Sequence, residues 1–288
     1  MTKPLSAIFL LLFASTSAAS AGSVVVLAPQ EPGPYSEAAQ SLVATMAKDH
    51  PDHQVRMAGP DDPAPDADVV VALGASATKS ANASGKPFVS GMAMSPADVP
   101  QGATGVALRY PIDRQLSLIR LLLPQATRIG LVYSSAEAGE FAARAQIQAA
   151  SLGMELLSVR VESAKELQSA LAGLANRIDV LWSVPDPTLY SPQTAKPILL
   201  FSFRHKIPFI GLSDTWVKAG ALAAPSFDFE AIGAQCAGLA VQVLEGTPMS
   251  ELAVQSPEGM PYSVNQNTAS QLKVQLPAGV ARNANHVW

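Results

Sequence analysis

The sequence predicts an α/β fold built from two doubly wound parallel-sheet lobes. Two observations carry that prediction. Short apolar runs of strand length alternate with amphipathic runs of helix length, and the alternation passes along the chain twice. A β-then-α order places parallel strands side by side and covers the sheet with the crossover helices. A chain of 288 residues is long enough to give each lobe its own core.

In the first round, Val24 to Ala28 reads as a strand and Tyr35 to Lys48 as a helix. Gln54 to Met57 and Val69 to Leu73 follow as strands, with a short helical stretch near Ala77. Pro87 to Val89 and Gly105 to Leu108 complete the round as strands. The helix Asp113 to Leu123 sets Leu116, Ile119, Leu122 and Leu123 on one face and lies where the chain passes to the second lobe. The second round starts with the strand Ile129 to Tyr133, the helix Ala136 to Leu152 closed by Gly153, and the strand Glu155 to Val161. Then come the helix Ala164 to Ala175, the strand Asp179 to Ser183 and the helix Pro192 to His205. The strand Phe209 to Gly211 and a short helix from Thr215 toward Gly220 end it.

The N-terminus reads as a cleaved signal peptide over residues 1–21: Lys3 is its positive charge, Leu5 to Phe13 its apolar core, and Ala19-Ser20-Ala21 a small-x-small cleavage site. That apolar core is far short of the ~20 residues a membrane span needs, and no later stretch is apolar for long enough. A mature chain starting near Gly22, located in the periplasm and not embedded in a membrane, is the expectation. Removing Lys3 takes the formal net charge from −4 to −5, and no basic cluster occurs, which argues against nucleic acid as a partner. The single Cys236 forbids an internal disulfide and reads as a small buried residue of the run Ile232 to Leu244.

His50, His53, His205 and His286 lie away from strand ends and at no ligand spacing with one another or with Cys236, so no metal site is expected. No nucleophile elbow, phosphate-cradling loop or dinucleotide fingerprint appears, so neither a cofactor nor catalysis is expected. A secreted hydrolase using Ser76 or Ser135 with Asp186 would lack a nearby His.

Ligands of doubly wound sheets sit at the carboxyl ends of the strands. In Leu73-Gly74-Ala75-Ser76-Ala77-Thr78 a strand end meets a helix start, so free backbone N–H groups and the Ser76 and Thr78 hydroxyls suit an anionic oxygen. An ordinary Ser N-cap fits the same residues. Ser134, Ser135 and Glu137 open another helix with the same two readings. Asp186 in VPDPT, with Thr188 beside it, and Asp214 in LSDT follow strands, where a carboxylate accepts from an ammonium or hydroxyl or caps the next helix. Asp228 reads as a cap for the helix that follows. Aromatic residues are 6% of the chain, so Tyr35, Tyr133, Tyr190 and Trp216 beside strand ends point to an apolar wall for a ring or hydrocarbon. Trp182, within a strand, reads as core; Met92 and Met94, in a loop after the fourth strand, have flexible thioethers suited to lining a cleft, but filling a gap in the core is the favoured reading.

The segments LLPQATRIGLVYSSAEAGE, SLGMELLSVRVESAKELQSAL and FIGLSDTWVKAGALAAPSFDFEAIG, with the tail PYSVNQNTASQLKVQLP, occur in an order that resembles the ABC-type substrate-binding proteins of the tryptophan/tyrosine-like branch. The match runs from about Leu121 to Pro277. The resemblance implies a type I periplasmic binding protein: lobes joined by three crossover segments, a small-molecule ligand in the cleft and an ABC permease as partner. A same-fold sensor or outer-membrane accessory is the alternative. The crossings then fall near Ala107 to Pro111, Leu222 to Ser226 and Gly259 to Ser263, and the helix Phe229 to Leu244 returns to the first lobe. The lobes become residues 22–110 plus 226–258 and residues 111–225 plus 259–288. The expected ligand contacts are Tyr35, Ala75, Ser76 and Thr78 on one side, with Ser134, Ser135, Glu137, Asp186, Thr188, Asp214 and Trp216 on the other. One departure stands out. Relatives carry a helix between the second and third strands, whereas Ala58 to Ala67, AGPDDPAPDA, is too short and too rich in Pro for one. One face of the first sheet is therefore expected to be thinly covered, or covered by other parts of the chain or by a partner.

Overall fold

The computed structural model describes residues 21–288. Except for Ala21, the residues expected to form a signal peptide, 1–21, lie outside the described residues. The first sheet is wholly parallel, in the order β2-β1-β3-β4-β5. Its strands are β1 (Ser23–Leu27), β2 (Gln54–Ala58), β3 (Val69–Leu73), β4 (Phe88–Ala93) and β5 (Thr104–Ala107). β1 and β3 are near-continuous runs of Val and Leu because a central strand of a parallel sheet is buried on both faces. Val24 and Val26 face one core and Val25 and Leu27 the other, as strand alternation requires.

The first of those cores is roofed by α1 (Pro34–Asp49) and α8 (Phe229–Leu244), which lie side by side. Their contact is close enough that a Cβ on Gly233 would fall 2.1 Å from the Ala38 carbonyl oxygen, so only Gly fits. The second core lies under α2 (Ala75–Ser84) and the Pro-rich loop. No helix forms between β2 and β3, as the sequence predicts, but the face is covered: Ala64 and Ala67 are buried against Val25, Val70 and Phe88. The loop is held down by Arg56, whose guanidinium donates to Asp66 at 2.6 and 2.8 Å, and by Lys86, whose ammonium donates to the Pro65 and Ala67 carbonyls.

The second sheet runs β12-β11-β10-β9-β8-β6-β7. It comprises β6 (Arg128–Tyr133), β7 (Glu155–Arg160), β8 (Val180–Trp182), β9 (Phe209–Ile210), β10 (Ala223–Pro225), β11 (Tyr262–Val264) and β12 (His286–Val287). It is parallel except where β11 returns against β10. Its helices are α3 (Ile112–Leu122), α4 (Ala136–Ser151), α5 (Leu167–Leu174), α6 (Pro192–His205), α7 (Asp214–Ala219) and α9 (Gln266–Leu272). They merge with the strands into one core around Trp182, Phe209 and Phe141. Cys236 is fully buried in the first lobe, and burial pushes its thiol up to about 12. Among the described residues no helix is long and apolar enough to cross a membrane.

Candidate functional site

Three stretches of chain join the sheets: β5 to α3, β10 to α8, and the segment between α8 and β11. They are tied to one another. The Tyr110 hydroxyl donates to the Ser226 carbonyl at 2.7 Å, linking the first crossing to the second, and the Tyr110 ring stacks on Phe227 at 5.0 Å between centroids. Burial, with the Asp228 charge adding to it, pushes the Tyr110 phenol above its ordinary range, so it stays a donor. Arg114 reaches the Pro257 and Gly259 carbonyls of the third crossing. Gln255 pairs through its backbone with Gly105 and Ala107 of β5.

Between the lobes, at the carboxyl ends of strands from both sheets, lies a cavity of about 310 Å³. Met94 and Leu108 come from the first lobe, Pro185, Gly211 and Leu212 from the second, and Arg109, Tyr110, Pro225 and Phe227 from the crossings. Phe141 and Gln115 close it. Among the described residues lining it, Arg109 is the only charged one. A second cavity of about 520 Å³, sharing Met94, lies against the first sheet and is bordered by Tyr35, Ala75, Thr78, Lys79, Asn82 and Ser90. The aromatic and apolar walls exclude water from a ring or chain, while a single guanidinium offers planar donors to an anion.

The sequence-derived candidates fall into three groups. Tyr35, Ala75 and Thr78 come together at the second cavity. There the Tyr35 ring covers Gly74, whose φ of 90° and lack of a Cβ let the ring approach. Thr78 is engaged with Ser90, oxygen to oxygen at 2.9 Å. Ser76 departs from its expected position: Gly74 is the N-cap of α2, and the Ser76 hydroxyl donates to Asp61 of the Pro-rich loop at 3.4 Å.

Ser134, Ser135, Asp186 and Thr188 form the second group, and they hold one another. The Asp186 carboxylate accepts from Ser134 N at 2.6 Å, Ser134 Oγ at 2.9 Å, Ser135 N at 3.1 Å and Thr188 N at 3.2 Å. It is 1% exposed. The sequence offers Asp186 as a ligand contact or as a cap of the helix after it. The structure instead seats it under the Ser135 helix start, where its charge meets the unpaired N–H groups and the positive end of α4. Ser135 is the N-cap of α4, accepting from Ala138 N at 3.1 Å.

The third group is dispersed. Asp214 does not cap a helix; Ser213 holds the N-cap position of α7. The Asp214 carboxylate accepts from Ser226 Oγ and Ser263 Oγ, each at 2.5 Å, and faces His286 Nδ1 at 3.1 Å, so it binds the second crossing to the start of β11. Trp216 and Tyr190 pack edge-on against each other and around Phe209 rather than forming a cleft wall, and the Tyr190 hydroxyl donates to the Val132 carbonyl. Asp228 is the N-cap of α8, as read from the sequence. Met92 is core and Met94 is 69% exposed. Glu137 accepts from Arg109 at 2.7 Å.

The rings that line the interlobe cavity are Tyr110, Phe227 and Phe141; Tyr133, Tyr190 and Trp216 are not among its lining residues. Sequence reasoning missed the three lining rings and Arg109. A signal existed: Tyr110 lies inside a stretch expected to cross between lobes and Phe227 one residue beyond another, in a chain poor in aromatic residues.

A profile of the ABC transporter substrate binding proteins matches residues 65–288, more than half of the chain. The chain belongs to the ABC transporter substrate-binding protein family. A tyrosine-binding protein of Clostridioides difficile (strain R20291) is 28% identical over 180 residues, which is 60% of this chain and 50% of that one, so the match spans half the length of that relative. Among solved structures, a ligand-free, open substrate-binding protein with adhesive properties from Clostridium difficile superposes with a TM-score of 0.75 at 18% identity, covering 92% of this chain and 99% of that one. An ABC domain in complex with L-Trp from Streptococcus pneumonia superposes at 0.59 with 19% identity, covering 93% and 100%. At such identities these likenesses speak for the fold, which is the type I periplasmic binding protein fold of two parallel-sheet lobes.

Proposed function

We propose that this substrate-binding protein works in the periplasm, capturing an aromatic or apolar amino acid, or a related carboxylate, between its lobes and passing it to an ABC importer. The observation that carries this reading is the make-up of the interlobe cavity. Flat rings of Tyr110 and Phe227, the Phe141 ring and apolar Leu108 and Leu212 surround about 310 Å³, with Arg109 as the charged partner. That volume is at the small end of small-molecule sites and suits a ligand of amino-acid size. The tyrosine-binding relative and the L-Trp complex support the same ligand class. The leader residues Lys3 to Ala21 support export.

In this reading Tyr35, Ala75 and Thr78 extend the site along the first sheet, and the Asp186 cluster with Ser134, Ser135 and Thr188 fixes the facing wall from behind. A ligand that touches both sheets favours the conformation in which they approach, because it gains contacts there that the open form lacks. The closed form is what the importer reads.

The test is a thermal-shift series on the chain from Gly22 with L-tyrosine, L-tryptophan, L-phenylalanine and L-leucine, against glycine, L-aspartate and ribose. At a hundredfold excess over Kd an aromatic or apolar amino acid should raise Tm by roughly 5–10 °C. Phe227→Ala should remove most of that shift. A response confined to ribose or aspartate would overturn the assignment.

A further inference from the structure

We infer that Arg109 recognises the ligand's carboxylate and that Glu137 is the internal carboxylate it displaces, so that capture is an exchange of one anion for another on a single guanidinium. The inference rests on the interlobe cavity being the ligand site. Arg109 belongs to the first crossing, where its N–H donates to the Ala107 carbonyl at 2.7 Å and fixes the backbone that presents it. Its side chain is 22% exposed and lines the cavity. Of its five N–H donors, one is matched by an acceptor among the described residues, Glu137 Oε1 at 2.7 Å.

The two partners differ in what they lose by parting. Glu137 is 60% exposed and lies outside the cavity lining. An ion pair with one member mostly in water contributes little. Released, Glu137 stays in the first turn of α4, where a negative charge is favoured by the helix N-terminus. Arg109, mostly removed from water among apolar walls, needs an anion. A ligand carboxylate supplies two oxygens in the plane of the guanidinium fork, which a Glu approaching from the rim matches with one. The exchange also moves a tie. The Arg109–Glu137 bond joins a crossing to the second lobe, and a bound carboxylate would take over that end of Arg109 while the ligand's ring occupies the Tyr110 and Phe227 wall.

Isothermal titration of the chain from Gly22 with L-tyrosine, L-tryptophan and their primary amides tests this, because acid and amide share the ring and the ammonium. The wild type should prefer the acids. Arg109→Gln should abolish that preference, weakening the acids by about tenfold to a hundredfold, as befits a lost charge-assisted pair. Arg109→Lys should keep part of it, and Glu137→Gln should tighten the acids by removing their competitor. An undiminished acid preference in Arg109→Gln would overturn the inference, as would Glu137→Gln weakening the acids as strongly as Arg109→Gln does. If Phe227→Ala loses binding while Arg109→Gln does not, the cavity stands as the site and Arg109 falls. If none of the four compounds binds the wild type, the reading of the cavity fails and the exchange with it.

Discussion

Each sheet has two apolar faces to cover, and the two lobes cover them differently. The seven-stranded sheet is flanked by α3 to α6, whose side chains join Trp182, Phe209 and Phe141 in one continuous core. The five-stranded sheet has α1 and α8 on one face but on the other only the ten residues of α2 and the loop between β2 and β3. That second face is filled mostly by Ala, with Phe88 as its one aromatic ring. Burial free energy follows apolar area, so an Ala-rich face gains less per residue than one built from Leu and Trp. The loop makes up part of the difference with charge: Arg56 to Asp62 and Asp66, and Lys86 to two carbonyls. One lobe is held by core packing on both sides, the other by packing on one side and by a polar staple over shallow packing on the other.

The largest effect is expected where the second lobe does use a buried charge. Asp186→Ala strips four donors of their acceptor in a site 1% exposed, and unfolding in urea should show a loss of about 3 kcal/mol. Asp186→Asn should recover only part, since an amide accepts fewer bonds than the site offers. Wild-type stability in both variants would mean that the helix start is held by something other than this carboxylate.

The next effect probes the shallow face. Ala64 is fully buried with φ 46°, a left-handed conformation that costs any residue with a Cβ. Ala64→Leu should overpack the face at a cost of about 1–3 kcal/mol. Ala64→Gly should be neutral or stabilising by up to about 1 kcal/mol, as the strain is relieved. If Leu is accepted at no cost, the loop does not pack on the sheet as a core element, and the contrast between the lobes dissolves.

Much of this architecture is legible in the chain because buried parallel strands leave unmistakable runs, as in the Val-rich β1 and β3, and because α6 is bracketed by Pro192 and His205. The sequence shows only the first part of β4, Pro87 to Val89, because Ser90 and Gly91 resemble loop residues; within the strand Ser90 is buried and matched by Thr78. The absence of a helix between β2 and β3 follows from Pro60, Pro63 and Pro65, yet Ala64 plugging the face could not be foreseen, since lone Ala residues carry no periodic signal. At the site, Asp186 and Asp214 were marked by type and position, but their roles depend on partners about fifty residues distant in sequence, Ser134 and Ser263. Tyr110 and Phe227 needed the crossings to be read as part of the cleft wall.

Acid offers the smallest and sharpest comparison, because each lobe has an Arg–Asp staple: Arg56 within β2 holds Asp66 of the following loop, and Arg128 at the start of β6 holds Asp179 just ahead of β8. In the first, the Arg56 guanidinium holds Asp66 down to about 2. In the second, burial pushes Asp179 up, but the Arg128 side chain and the Arg128 and Thr127 amides more than offset it, leaving it below the usual carboxylate range. Both folded-state values are depressed, so the stability each carboxylate adds is present above the unfolded value of ~3.9 and is lost as pH falls through the folded one. The pairs differ in exposure: Asp66 is 57% exposed, Asp179 27%. Water screens the first, so Asp179→Asn should cost about 1 kcal/mol at pH 7 and flatten the decline of the urea midpoint below about pH 4. Asp66→Asn should leave both the midpoint and its acid slope close to wild type, while raising protease sensitivity within residues 59–67. If Asp66→Asn flattens the profile as much as Asp179→Asn, the exposed staple contributes to the first lobe as strongly as the less exposed one does to the second, and the two lobes are more alike in how they are held than their cores suggest.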